Sequence, residues 1–231
     1  MINCLTPSHL PMKELVLKRI APLSKKDRVV TAIREAIVSG RMKPGDPLIE
    51  TRVARQLEVG QPLIREALLE LEHQGFVQRV PYRGTSVTRL GPEEIEQIQS
   101  LRIELESLAV EWARTRANAK EVAELRRIVE GMRRAAEGAD LSRFNDYDLA
   151  LHRRIWELAG NKYLYDALER TVVPLLTSFY LRSGGVGALH IDSVRHHATL
   201  VDLVASCEAA GARTREVLTD LKTRTEPLVT P

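Results

Sequence analysis

Cysteine is nearly absent. Cys4 and Cys207 are the only two in 231 residues, and they are not in a metal-type spacing. That excludes a disulfide scaffold and fits a reducing compartment. Long apolar runs are also missing. The most apolar window, "VVPLLTSFYL" from Val172, is about half the length a membrane helix needs and contains Pro174. The N-terminus has early cationic residues but no apolar core behind them, so no secretory signal is read there. No repeat of solenoid period occurs. Neither sign of charge dominates, because the net charge is only +3. What remains is a composition with 44% hydrophobic and 28% charged residues, that of a soluble globular protein with a sizeable core. The expected location is the cytoplasm, with no membrane association.

The modest net charge hides a division. Residues 1–90 hold 15 Lys and Arg against 9 Asp and Glu, whereas residues 91–231 hold 19 against 22. A basic first part on an acidic second part suggests that only the first meets a polyanion; ordinary charge scatter is the alternative.

The chain reads as three segments. Residues 1–24 lack clear periodicity, although "MKELVLKRIA" is compatible with a short helix. Residues 25–90 open with "KDRVVTAIREAIVSG", where Val29, Val30, Ile33, Ile37 and Val38 share one helical face and Gly40 supplies a stop. "RMKPGDPL" is a turn by composition. A short helix follows in "ETRVARQLEV", then a longer one with Ile64, Ala67, Leu68 and Leu71 apolar and Gly75 at its end. "FVQRVPYRGTSVTRL" alternates as two short strands around "PYRG". Three helices and a hairpin in about 65 residues make a winged helix-turn-helix pattern. Beyond Gly91-Pro92, residues 91–231 read as helices over roughly 93–117, 120–137, 141–159, 162–182, 190–206 and 209–225. The fold class is therefore mainly α: an N-terminal winged helix-turn-helix followed by an all-α antiparallel helical bundle.

The stretch "AIREAIVSGRMKPGDPLIETRVARQLEVGQPLIREALLELEHQGFVQRVPYRGTSV" resembles the winged helix of GntR-type bacterial transcription regulators over its whole length. The "G-x-x-x-P-G-x-x-L" turn, the "REAL-x-x-LE-x-x-G" helix and the "RGTSV" wing stand in the expected order. The resemblance implies binding to a double-stranded DNA operator. The first turn of a recognition helix has unpaired backbone N–H groups and a positive dipole end, which favours phosphate approach. Arg65, one turn in, can reach a phosphate or a guanine edge. Arg52 and Arg55 on the preceding helix, and Arg83, Gly84 and Thr85 on the wing, are placed to clamp the flanking backbone. The chain departs from the family where Ser or Thr followed by Arg is usual: Gly60-Gln61 stands there, and Leu63 replaces a common Pro. Gln61 can pair with adenine, so an altered operator preference is expected. No acid lies three or four residues from Arg65, which argues against a pairing along its own helix.

In the second part, Asp148 and His152 lie four apart in "FNDYDLALHRRIWELAGN", hence on one helix face. A carboxylate and an imidazole there can ligate one divalent ion or simply hydrogen-bond at a surface. The stretch resembles the "D-x-x-x-H … G-N" segment of the FCD effector domain, the all-helical partner in the FadR branch of the GntR family. The likeness runs over about residues 92–222 and includes "LRIELE" (Leu101 to Glu106) and "HHATLVDLV". It implies a metal site, usually zinc, nickel or manganese, with a small carboxylate effector completing the shell. Asp148 and His152 match the first two ligands and His197 the third. The fourth histidine is missing, and its place falls near Thr219 or Asp220; Asp220 is the candidate, through oxygen. His196 should face elsewhere. Arg102 anchors an anionic effector or pairs with Glu106 four residues on, and Asn161 is the further effector candidate. "SGGVG" is no phosphate loop, since no strand precedes it and no Lys-Ser/Thr follows.

The expected function is a metabolite-responsive DNA-binding regulator, a homodimer on a (pseudo)palindromic operator. A metal-free bundle acting as scaffold or dimerisation module is the second reading. A metalloenzyme is the third, against which stand the missing His-Glu-x-x-His and nucleophile elbow. The chain is not expected to be an enzyme.

Overall fold

The computed structural model describes residues 24–80, 82, 84–182, 187–206 and 208–225. The short helix expected in "MKELVLKRIA", both cysteines and the wing candidate Arg83 lie outside them.

Helix α1 (Lys25–Val38) starts at a reciprocal cap: the Asp27 backbone N–H donates to Ser24 Oγ at 3.1 Å, and the Ser24 N–H donates to Asp27 Oδ2 at 3.1 Å. It buries Val29, Val30, Ile33 and Ile37 as its periodicity predicts, but leaves Val38 39% exposed at its end. Helix α2 (Glu50–Gln56) and helix α3 (Gln61–His73) complete the helical part. Gly60 caps α3 without a side-chain bond, and Pro62 occupies its first turn, where its missing N–H has no helical partner to lose. The sheet has three strands, not two. β1 (Pro47–Leu48), β2 (Val77–Val80) and β3 (Gly84–Val87) are antiparallel in the order β1-β3-β2, with Leu48 opposite Thr85. β1 lies in the stretch expected as a turn; two residues are too few for alternation to reveal. Ile64, Ala67, Leu68 and Leu71 of α3 form one core with Phe76, Val77 and Val87 of the wing.

Among the described residues six helices follow: α4 (Pro92–Arg116), α5 (Ala119–Glu137), α6 (Leu141–Leu158), α7 (Lys162–Arg182), α8 (Gly187–Ser206) and α9 (Ala210–Thr225). Asn118 caps α5, Asp140 caps α6 and Asn161 caps α7 through side-chain oxygens that accept backbone N–H groups. Their main core joins Val110, Leu125, Leu151, Trp156, Leu168, Val172 and Val201. No helix among the described residues is long and apolar enough to cross a membrane.

Helix α7 reaches past the bundle to the winged helix. Tyr180 and Leu181 pack against the winged-helix core, and the Tyr180 ring meets Phe76 edge-on at 6.2 Å. Thr177 Oγ1 donates to the Gln74 carbonyl at 2.8 Å, and Arg182 donates to the Leu90 carbonyl at 2.9 Å. Gly75 lies in this joint with φ +75°, where an added Cβ would come within 2.8 Å of Thr177 Oγ1 and 2.9 Å of the Val173 carbonyl oxygen.

Gly40 has nearly the same φ, +73°, with nothing within 4 Å of its Cβ position. Gly40→Ala therefore carries the left-handed strain alone, about 1–2 kcal/mol. Gly75→Ala should lose roughly 1–3 kcal/mol more by overpacking. Denaturant unfolding of the two variants reads the difference, and equal losses would mean that the joint yields without cost.

Candidate metal centre and DNA interface

Asp148, His152 and His197 offer one ligand atom each, all within 4.8 Å of one another, and all three residues are buried. Asp148 and His152 stand one turn apart on α6, and His197 comes from α8. His197 Nε2 lies 3.0 Å from Asp148 Oδ1 and 3.0 Å from His152 Nε2. The other ring nitrogens are already engaged. His152 Nδ1 is 2.6 Å from Glu106 Oε1, and His197 Nδ1 is 2.7 Å from the Ser193 carbonyl oxygen. An oxygen acceptor at Nδ1 holds the proton there, which leaves Nε2 of each ring as a lone pair. Two such lone pairs facing each other at 3.0 Å require a proton or a cation between them. Ligand atoms about 3.0–3.4 Å apart are also what bonds of about 2.1 Å make at octahedral to tetrahedral angles. The donor set thus fits a borderline divalent ion.

Charge surrounds the triad. Glu106 is 3% exposed and accepts from Arg102 Nε at 2.6 Å and from Trp156 Nε1 at 3.2 Å, besides its His152 contact. Burial opposes the Glu106 carboxylate, but Arg102 and then His152 outweigh it and hold its pKa well below the carboxylate range. Burial likewise opposes ionisation of Asp148, and the His197 charge and hydrogen bond reverse the sign, so its pKa is lowered. For His197, burial favours the neutral ring, yet Asp148 wins and raises its pKa.

Glu106 was not singled out as a functional residue from sequence, although it ends the quoted "LRIELE". Its i+4 spacing from Arg102 was the available signal. Arg102 makes that pair, and its charge still bears on Asp148 and His197. One expectation is corrected. Asp220 is not brought to the triad: its side chain is 54% exposed and takes Arg224 Nε at 2.8 Å. On α9 the side chain turned inward near this point is Leu218, which is 4% exposed. Asn161 is engaged as the cap of α7, where its Oδ1 accepts the Tyr163 and Leu164 N–H groups. His196 does face elsewhere, with Nδ1 2.7 Å from the Asp192 carbonyl oxygen.

On the winged helix, Arg52, Arg55, Gln61, Arg65 and Gly84 are exposed. Thr85 is buried in β3, between β1 and β2, so its hydroxyl is not on the wing surface. Arg65 does have an acidic partner: Nε donates to Glu50 Oε2 of α2 at 2.7 Å. Scanning along α3 misses it because the acid lies across the turn between the helices. With Arg65 63% exposed, the pair is worth at most about 1 kcal/mol, and a phosphate or base can compete for the guanidinium. Tyr82, fully exposed at the wing tip with φ +63°, is a further surface residue that alternation alone does not reveal.

A three-helix unit with a wing, joined to a helical bundle with a buried polar centre, is the arrangement of a DNA-binding transcription regulator. Residues 25–87 match the gntR family of bacterial regulatory proteins and residues 97–218 match the FCD domain. The chain belongs to the GntR family, in the FCD-bearing branch. It is 28% identical over 185 residues, 80% of each chain, to a probable D-xylose utilization operon transcriptional repressor of Paenarthrobacter nicotinovorans. It is 30% identical to the gluconate operon transcriptional repressor of Bacillus licheniformis, over 68% of this chain and 63% of that one. Matches to YdhC of Bacillus subtilis and McbR of Escherichia coli span under two thirds of those proteins, 62% and 65%. The solved structure of E. coli McbR/YncC has the same fold, with a TM-score of 0.66, 21% identity and coverage of 91% and 98%.

Ion uptake should compete with the His197 proton. The raised pKa means that the Asp148–His197 pair's stabilisation from this ring is complete below the ordinary histidine value of 6.5 and fades as pH rises through the folded value. Asp148, with its pKa lowered, contributes above 3.8 and loses its share as pH falls through the depressed value. Divalent-ion affinity should therefore rise with pH through the His197 transition, with a proton released on binding. Titration calorimetry in two buffers of different ionisation enthalpy counts that proton, and a pH-independent affinity would exclude His197 as a ligand.

Proposed function

We propose that this protein is a metabolite-responsive regulator that binds a (pseudo)palindromic DNA operator as a homodimer. In this reading a divalent ion (zinc, nickel or manganese) is held by Asp148, His152 and His197, and a small carboxylate completes its shell. The observation that carries it is the facing pair of imidazole Nε2 atoms, each with its Nδ1 already engaged and a carboxylate beside them. When bound, the ion supplies a Lewis-acid centre for the ligand's carboxylate. Glu106 and the Ser193 carbonyl orient the two rings, and burial excludes competing water. Names of relatives taken from sugar and sugar-acid operons support the metabolite class. Leu101 and Leu108, seven residues apart on α4 and 45% and 39% exposed, support a second copy against that helix.

Coupling follows from residues next to each other on α6. His152 faces the triad, while Arg153 donates to the His73 carbonyl at 2.6 Å, at the C-terminal end of α3. Arg153 Nε also takes Glu169 at 2.9 Å, and His73 Nε2 reaches the same carboxylate at 2.9 Å. A ligand that shifts α6 shifts the grip on the reading helix. A coupling of about 1–3 kcal/mol suffices for regulation.

Arg65→Ala should weaken operator binding by about 1–3 kcal/mol at fixed salt, with the bundle still folded. Fluorescence anisotropy on an operator selected from random DNA measures it, and unchanged affinity would remove α3 from the groove. His152→Ala should abolish stoichiometric metal in protein prepared without chelator, whereas Asp220→Ala should retain it. If the parent keeps no zinc, nickel or manganese, the bundle is a metal-free scaffold.

A further inference from the structure

Tyr82 has two features that the free protein does not explain. Its side chain is wholly exposed, with no hydrogen bond, ion pair or ring contact among the described residues, so the ring gains nothing from burial. Its backbone sits at φ +63°, a left-handed conformation that strains any residue with a Cβ and a bulky one most of all. Backbone strain of this kind clusters at binding and active sites, so its presence at an exposed tip points to function.

The strand register shows which side the tip occupies. Val80 pairs with Gly84, so Tyr82 is the middle of the three residues that join β2 to β3. Leu48 of β1 stands opposite Thr85, next to Gly84, and two residues further on Glu50 takes the Arg65 guanidinium. Ile49, between them, is 54% exposed. The wing tip, the start of α2 and the Arg65 turn of α3 therefore share one open side of the unit. When a reading helix occupies the major groove, a projection beside it can cross the flanking phosphates into the neighbouring minor groove. A phenol suits that place. It has no charge to hold it at a phosphate, and its flat ring matches a groove about 6 Å wide. Its hydroxyl can donate to adenine N3 or thymine O2 on the groove floor, whereas guanine adds a 2-amino group where the ring must enter.

We infer that Tyr82 is a specificity residue that reads A·T pairs from the minor groove beside each half-site. The inference rests on the operator-binding reading above and adds a minor-groove contact to it. The test uses the full-length protein on an operator selected from random DNA, with the pairs flanking each half-site changed singly to G·C or to inosine·cytosine. Inosine lacks the 2-amino group, so its pair shows the minor-groove edge of A·T and the major-groove edge of G·C. At a flanking position G·C should weaken binding at least about fivefold against A·T, the lower end for one wrong base pair, while inosine·cytosine should bind like A·T. Tyr82→Gly should lose that preference and keep or raise the thermal midpoint, because glycine takes positive φ without steric cost. A parent indifferent to G·C at every flanking position overturns the inference, as does a weakening by inosine·cytosine equal to that by G·C. So do a preference that survives in Tyr82→Gly and a thermal midpoint that falls in that variant. If the parent enriches no sequence, the operator-binding reading falls and this inference with it, an outcome distinct from binding without an A·T preference.

Discussion

The Glu106 carboxylate is the point on which the bundle's polar centre turns. It accepts from Arg102, His152 and Trp156 at once, from a position almost closed to solvent. Taking a carboxylate out of water is costly, and only the neighbouring guanidinium and ring outweigh that cost. The reverse dependence is as strong. Without Glu106, Arg102 would be a buried cation without its hydrogen-bonded partner, and removing one partner of a buried pair costs about 3–5 kcal/mol. His152 would also lose the acceptor that fixes which of its nitrogens faces His197. A residue of this kind sets ligand orientation without being a ligand, and such partners commonly decide how well a metal site binds.

Most of the architecture was legible because it follows from periodicity. The helix spans after Pro92 agree with the structure to within a few residues, since Asn118, Asp140 and Asn161 mark helix starts with side-chain caps. The triad was partly legible: Asp148 and His152 share a face by their spacing, while His197 was supplied only by family likeness. What could not be read was long-range geometry. Nothing in sequence places Glu50 beside Arg65, or turns Leu218 inward and Asp220 outward on α9. Asn161 caps α7, a role that sequence does not distinguish from ligand binding, because a capping asparagine looks the same until the backbone is known.

The joint between the two parts explains why the end of α3 is so crowded. Gly75 leaves no room for a side chain, Thr177 and Arg153 take the Gln74 and His73 carbonyls, and Phe76 packs on Tyr180. Carbonyls at a helix C-terminus lack partners within the helix. Here side chains from α6 and α7 supply them, so α3 is held in part by α6, the helix that also carries Asp148 and His152. Communication between the two regions would then need no long chain of contacts: on α6, the ring at the triad and the guanidinium on the end of α3 belong to adjacent residues, His152 and Arg153.

Charge accounting in the buried centre points to the sign of the ligand. Counting only Arg102 and a protonated His197 against Glu106 and Asp148, two positive charges face two negative ones without an ion. A divalent ion that displaces the His197 proton leaves one uncompensated positive charge in a region closed to water. Isolated buried charge is strongly disfavoured, so the loaded centre favours a single negative charge in its remaining coordination space. A monocarboxylate supplies it and a neutral sugar does not. A dicarboxylate would overshoot, since Lys222 at the rim of the cleft already pairs with Glu96. The same electrostatics that tie Glu106 to Arg102 would therefore favour an anion at an ion-loaded centre.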